Sequence, residues 1–211
     1  MPRKPAHEQF DTLKVIGDHA FELFGRYGYE GVSIGDIAKA TRLSKGALYW
    51  HFKGKEELYL DCQRRLHALF NDYIFDPMRN EDDPVRAVLG LFTGLERLLQ
   101  DPRVEKGVAG YWLIPSRPDT SALIEAQRKF ETRSIEALRN ALQRGMDAGM
   151  VDFAGDLEAL ARAVISLVEA CVLPLRHRSP AEVRGELSVL ARTLFRAYAN
   201  TDEVVRLAEQ F

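Results

Sequence analysis

Cysteine is scarce: Cys62 and Cys171 are the only two in 211 residues, and they form no CxxC pair. That indicates neither a disulfide framework nor a cysteine zinc site, and it fits a reducing compartment, so a cytoplasmic protein is expected. Long apolar runs are missing as well. The longest stretch without Asp, Glu, Lys or Arg is Gly107–Ser116, ten residues, too short to span a bilayer as a helix. Residues 1–10 carry Arg3 and Lys4 but no apolar run, so no secretory signal is expected. No run of alternating apolar and polar residues marks a strand, and there is no internal repeat or low-complexity linker. No P-loop, HExxH or GxGxxG occurs. Neither an enzyme nor a metal or other cofactor is therefore expected.

What is present is helical periodicity and a local excess of positive charge. The net charge is only −2, but Ser33–Lys55 holds Lys39, Arg42, Lys45, Lys53 and Lys55 against Asp36 alone. A basic island of net +4 on an otherwise acidic chain suits contact with a polyanion. Apolar residues at spacings of three and four predict a first helix from His7 to Tyr27, ended by Gly28 and Gly31. Ser33, with Asp36 three residues on, reads as the capping pair of a second helix, and Ser44 as the cap of a third that runs to Phe52. A fourth is expected from Lys55 to Phe75. Asp83-Pro84 opens another, to Gln100. A less regular piece covers Val104–Leu113, and long helices follow over Thr120–Ala148 and Asp156–Arg176. Ser179-Pro180-Ala181-Glu182 starts the next, and a short helix follows Asn200. The fold class is all-α.

Gly31-Val32-Ser33-Ile34-Gly35 matches the G-x-S-x-G nucleophile elbow, but that elbow needs a preceding strand and a sheet. Here a helix precedes it, so Ser33 reads as a helix cap. The stretch SKGALYWHF, residues 44–52, is more informative. On a helix, Leu48 and Phe52 share one face and form a core pair, while Tyr49, Trp50 and His51 fan over the remaining circumference. A short helix, a brief turn and a second short helix beside a supporting first helix form the layout of a helix-turn-helix DNA-binding unit. Tyr49 and His51 then reach phosphates, and Lys45, Gly46, Ala47 and Trp50 approach base edges.

The segment GYEGVSIGDIAKATRLSKGALYWHFKGKEELY resembles the signature of the tetracycline-repressor family of bacterial regulators, with agreement from about Phe10 to Leu60. The resemblance implies an N-terminal helix-turn-helix domain, residues 1–55, and an effector-binding and dimerisation domain, residues 56–211. It implies a homodimer on a palindromic double-stranded operator, released by a small-molecule effector. The positions matching Lys45, Gly46, Ala47 and Trp50 lie nearest the bases, and those matching Tyr49, His51 and Lys55 bind phosphates. With Ser33 and Arg42 these make up the candidate DNA-contacting set. Two positions depart from the family pattern: Gly35 replaces a side chain that often reads bases, and Arg42 stands where the turn usually has glycine.

Beyond Leu60 the apolar pattern carries the reading. Leu160, Val164 and Val168 head one stripe of the helix after Asp156, and Ala163, Leu167 and Ala170 a second, so that helix needs neighbours on both faces. With Leu187, Leu190 and Leu194 of the next helix, Leu167 and Val168 are the candidate dimer contacts. Phe70, Tyr73, Phe92, Tyr111, Trp112 and Phe130 are the candidate effector-pocket residues, since the resemblance places them on pocket-lining helices. Two alternatives stay open: an all-α ligand carrier or enzyme with a helix-turn-helix-like start, and a DNA-binding regulator controlled by a protein partner.

Overall fold

The computed structural model describes residues 6–172 and 179–209. Among the described residues the secondary structure is helical, apart from one isolated antiparallel bridge between Val151 and Ala199. The all-α expectation holds. Helix α1 (Ala6–Tyr27) buries Ile16, Ala20 and Phe24, four residues apart on one face. It stops at Gly28, whose φ of 72° only glycine adopts cheaply and whose N–H donates to the Phe24 carbonyl at 2.8 Å. Helices α2 (Ile34–Thr41), α3 (Lys45–His51) and α4 (Lys55–Phe70) follow.

The expected end of the fourth helix at Phe75 is corrected. A π turn, Asn71–Phe75, carries the chain without a break into α5 (Asp76–Asn80). Pro77 accounts for the wider turn. A proline inside a helix excludes the carbonyl four residues before it, here that of Tyr73. The π turn moves this carbonyl aside, against Gly94, where a Cβ would collide with it.

Helix α6 (Pro84–Leu99) is capped by Asp83, whose carboxylate accepts from the N–H groups of Val85 at 2.8 Å and Arg86 at 3.1 Å. The less regular piece resolves into α7 (Pro102–Glu105) and a 3-10 turn, Ala109–Trp112, separated at Gly107 with its φ of 102°. A second 3-10 turn, Pro118–Thr120, leads into α8 (Ser121–Asp147), and α9 (Leu157–Val172), α10 (Pro180–Tyr198) and α11 (Asp202–Glu209) complete the order. The expected continuation of α9 to Arg176 lies outside the described residues.

The chain divides into two compact units. One comprises the chain up to Leu66 with Lys106–Gln127, and the other comprises His67–Glu105 with Arg128 onward. The first unit therefore extends past the residue-55 boundary expected for the DNA-binding domain. Its core explains why. Tyr59 of α4 packs against Phe24 and Tyr29 at ring-centroid distances of 4.9 and 5.2 Å, and against Tyr111 at 5.3 Å. The Tyr111 hydroxyl donates to the Phe21 carbonyl at 3.0 Å. Cys62 lies in the same core, and burial pushes its thiol up to about 12, so it serves packing and not chemistry.

In the second unit α10 packs against both α6 and α9, and Leu91, Phe92 and Leu95 of α6, Val164 and Val168 of α9, and Val183 and Leu187 of α10 are all buried. Beside it the buried Asp101 carboxylate accepts from the Tyr73 hydroxyl at 2.8 Å and from Arg103 through both its backbone N–H, at 2.8 Å, and its guanidinium. No helix among the described residues is long and apolar enough to cross a membrane.

Candidate nucleic-acid interface

The site lies in the first unit and is built by three successive caps. Ser33 Oγ accepts from the Asp36 N–H at 3.2 Å, and the Asp36 carboxylate accepts from the Ser33 N–H at 2.9 Å. This reciprocal box starts α2 and leaves Ser33 exposed. The Ser33 hydroxyl and then its N–H hold the Asp36 carboxyl below the usual range, with Lys39 and Lys45 adding to the effect.

The turn after α2 is closed by Arg42 in the left-handed conformation, φ 57° and ψ 29°. A non-glycine residue adopts this conformation at a cost of about 1 kcal/mol. The geometry returns two hydrogen bonds: Arg42 N–H donates to Lys39 O at 3.2 Å, and Leu43 N–H to Ala38 O at 3.0 Å. Ser44 Oγ then accepts from the Ala47 N–H at 3.2 Å and starts α3.

Helix α3 is anchored by the pair its sequence predicts. Leu48 is buried and Phe52 nearly so, while Tyr49 is 55% and Trp50 76% exposed. Lys45 and Gly46 are exposed, and Ala47 and His51 are half-buried. A Cβ added to Gly46 would meet only Ser44 Oγ, at 3.8 Å. The chain's own packing therefore does not require glycine there, and the bare backbone faces outward. A shelf of two rings, a histidine and a lysine thus projects from a short helix fixed by two core residues.

Lys55 is placed differently from its neighbours. Its ammonium donates to the Tyr29 carbonyl at 2.8 Å and sits 4.1 Å above the centre of the Tyr29 ring. It pins the start of α4 to the loop after α1. Tyr29 had no role in the sequence reading, and only its place in the GYE segment before Ser33 could have suggested one. The Lys53 N–H likewise donates to Glu57 Oε2 at 2.6 Å, a cap for α4 that no serine announced.

The other candidate sets are less unified. Phe70, Tyr73, Phe92 and Phe130 belong to the second unit and Tyr111 and Trp112 to the first. Phe70 and Phe130 meet edge to face at 5.9 Å, Phe92 is fully buried, Tyr73 bonds Asp101, and Tyr111 is spent in the first unit's core. A cleft of about 450 Å³ in the second unit is lined instead by polar groups, among them Asn71, Arg79, Arg133 and Arg144, and by none of the six aromatics.

Of the candidate dimer contacts, Val168 is 4% exposed and Leu187 fully buried within the chain itself. Both are covered by the chain's own packing. Leu167 is 51% exposed, Leu190 and Leu194 are half-exposed, and Val189, which the stripe did not single out, is 57% exposed.

Comparison with known proteins points the same way as the geometry. Residues 16–62 match the family described as "Bacterial regulatory proteins, tetR family". The biofilm operon icaADBC HTH-type negative transcriptional regulator IcaR of Staphylococcus epidermidis is 33% identical over 106 residues, which are 50% of this chain and 54% of that protein. The chain thus spans about half the length of that curated relative. The crystal structure of a TetR transcriptional regulator from Chloroflexus aurantiacus superposes with a TM-score of 0.78 at 22% identity, covering 92% of this chain and all of that one. A SmeT–triclosan complex superposes with a TM-score of 0.69 at 23% identity, covering 92% and 94% of the two chains.

Proposed function

Since the chain belongs to the tetracycline-repressor family of bacterial regulators, we propose that it is a sequence-specific DNA-binding transcriptional repressor. The observation that carries this is α3: Tyr49 and Trp50 stand exposed on a helix whose opposite face is locked by Leu48 and Phe52. Exposed aromatics beside Lys45 and an uncrowded Gly46 are what a groove-reading surface needs. Lys45, Gly46, Ala47 and Trp50 face base edges, and Tyr49, His51, Arg42 and Ser33 contact phosphates. Lys55 holds the frame through Tyr29 and adds positive charge at the start of α4, where free N–H groups favour a phosphate.

The protein acts as a homodimer in the cytoplasm, through the face of α9 and α10 that leaves Leu167, Val189, Leu190 and Leu194 uncovered. Two half-sites of a palindromic operator then lie about 34–36 Å apart. A small molecule bound in the second unit releases the DNA, a reading supported by the triclosan bound to SmeT. Helix α4 belongs to the first unit up to Leu66 and to the second from His67, so one continuous helix serves both.

Gel shifts over a range of salt concentrations test the proposal. Binding to duplex DNA weakens linearly on logarithmic axes as salt rises, because neutralised phosphates release counterions. Binding that is absent, or indifferent to salt, would contradict it.

A further inference from the structure

Gly35 occupies the first turn of α2 with no positive φ. Backbone conformation therefore gives no reason for glycine, and alanine would stabilise the helix more. The reason lies in the next helix. An ideal Cβ at residue 35 would stand 3.2 Å from Cε and 3.5 Å from Nζ of Lys45, and 3.4 Å from Ser33 Oγ. The end of the Lys45 side chain thus lies across the bare α-carbon of Gly35. Lys45 is exposed, and no hydrogen bond or ion pair among the described residues holds its ammonium. The Asp36 carboxylate attracts it, and the slot at Gly35 gives its side chain room to lie there.

We propose that Gly35 is a positioning residue for operator reading: the slot left by its missing side chain aims Lys45, so positions 35 and 45 select DNA sequence as one unit. The inference rests on the DNA-binding reading above. An ammonium has donors only, and in the major groove the acceptor-rich edge is guanine, with O6 and N7. Lys45 therefore favours guanine at its contact. A methyl group at residue 35 displaces Cε by a few tenths of an ångström, and a longer side chain expels the lysine from the slot. Either change moves the ammonium relative to the base it reads, while Tyr49 and His51 keep their phosphates.

The test starts from operators selected by the wild-type protein from a random duplex pool. Relative affinities for each base at each position are then measured for wild type, Gly35→Ala, Gly35→Leu, Lys45→Ala and the double variant Gly35→Ala/Lys45→Ala. The expected result is that Lys45→Ala relaxes the preference at one base pair by on the order of fivefold or more. The Gly35 variants alter the preference at that same base pair, leucine more than alanine. In the Lys45→Ala background, Gly35→Ala changes nothing further. Thermal melting of Gly35→Ala at or above the wild-type value shows that the effect is not misfolding.

Equal effects of Gly35→Ala with and without Lys45, effects at a different base pair, or no effect of either Gly35 variant would overturn the inference. If the wild type enriches no sequence, the DNA-reading premise fails, and the inference falls with it.

Discussion

Lys55 illustrates how one side chain serves two tasks, because its ammonium is committed to the Tyr29 carbonyl and ring before any DNA arrives. A charged hydrogen bond and a cation–π contact of this kind contribute about 1–2 kcal/mol in a half-buried setting. Lys55→Ala is expected to lower stability in urea by that amount, and to weaken binding to matched and scrambled duplexes alike. Tyr49→Phe removes only the outward hydroxyl, so it is expected to weaken binding without moving the urea midpoint. A Lys55→Ala protein as stable as wild type would break the link between the two roles.

Asp101 supplies a second prediction for a single residue, read through pH. Its bonds from the Arg103 guanidinium first, and then from the Arg103 N–H and the Tyr73 hydroxyl, hold its carboxyl well below the usual range against the opposing effect of burial. A carboxyl depressed in the folded state contributes fully above its unfolded value of about 3.9, and loses that contribution as pH falls toward the folded value. Asp101→Asn is therefore expected to cost about 1 kcal/mol near pH 7, since it weakens acceptance from Tyr73 and from Arg103, whose exposed guanidinium is screened by solvent. The gap to wild type narrows below about pH 4. Denaturation of both proteins at several pH values checks this, and a pH-independent gap would refute it.

At the level of elements, the α9–α10 pair separates two neighbouring positions cleanly. Val168 is buried within the chain and Leu167 stands 51% exposed. Val168→Glu places an unpaired carboxylate in a core and is expected to destabilise the fold by roughly 3 kcal/mol or more. Leu167→Glu should leave the melting of the isolated fold near wild type and shift the protein to monomers by light scattering. Periodicity identified α9 as apolar on nearly every side, but could not say which stripe meets α10 and which remains open. Both stripes are apolar, the first bulky and the second largely alanine around Leu167, and periodicity alone does not say which of them the chain itself covers.

The caps were far more legible. Ser33 with Asp36, Ser44, Asp83-Pro84 and Ser179 with Glu182 all start helices where their residue types announce it, because each bond is local. Leu48, Tyr49, Trp50 and Phe52 were equally readable, since a helix fixes their directions. The π turn at Asn71–Phe75 was not, although Pro77 displaces the Tyr73 carbonyl, because that carbonyl's resting place is Gly94, far away in sequence. Tyr29 escaped for the same reason: Lys55 reaches it across 26 positions.

For the whole molecule, the first compact unit runs beyond residue 55 to Leu66 and includes Lys106–Gln127. The first unit needs Tyr59 and Tyr111 to support the helix-turn-helix, so a fragment ending at residue 55 lacks both rings. The aromatic effector residues proved hard to read because aromatic rings fill cores as readily as they line pockets. Coupling between effector and operator, if carried along α4, is reciprocal: each ligand must weaken the other by the same factor. Titrating an effector with and without operator is expected to show the same ratio as titrating operator with and without effector. Equal effector affinity in both cases would remove the linkage.

Sequence-specific DNA recognition by α3 is best tested by competition between a duplex selected by the protein and a scrambled duplex of the same composition, at physiological salt. The selected duplex should bind at least about 10³-fold more tightly, the lower end of the ratio typical of specific DNA-binding proteins. Trp50→Ala, together with Lys45→Ala, should bring the two affinities together while leaving salt-sensitive binding to both. Equal affinity of the wild-type protein for the two duplexes would contradict the account.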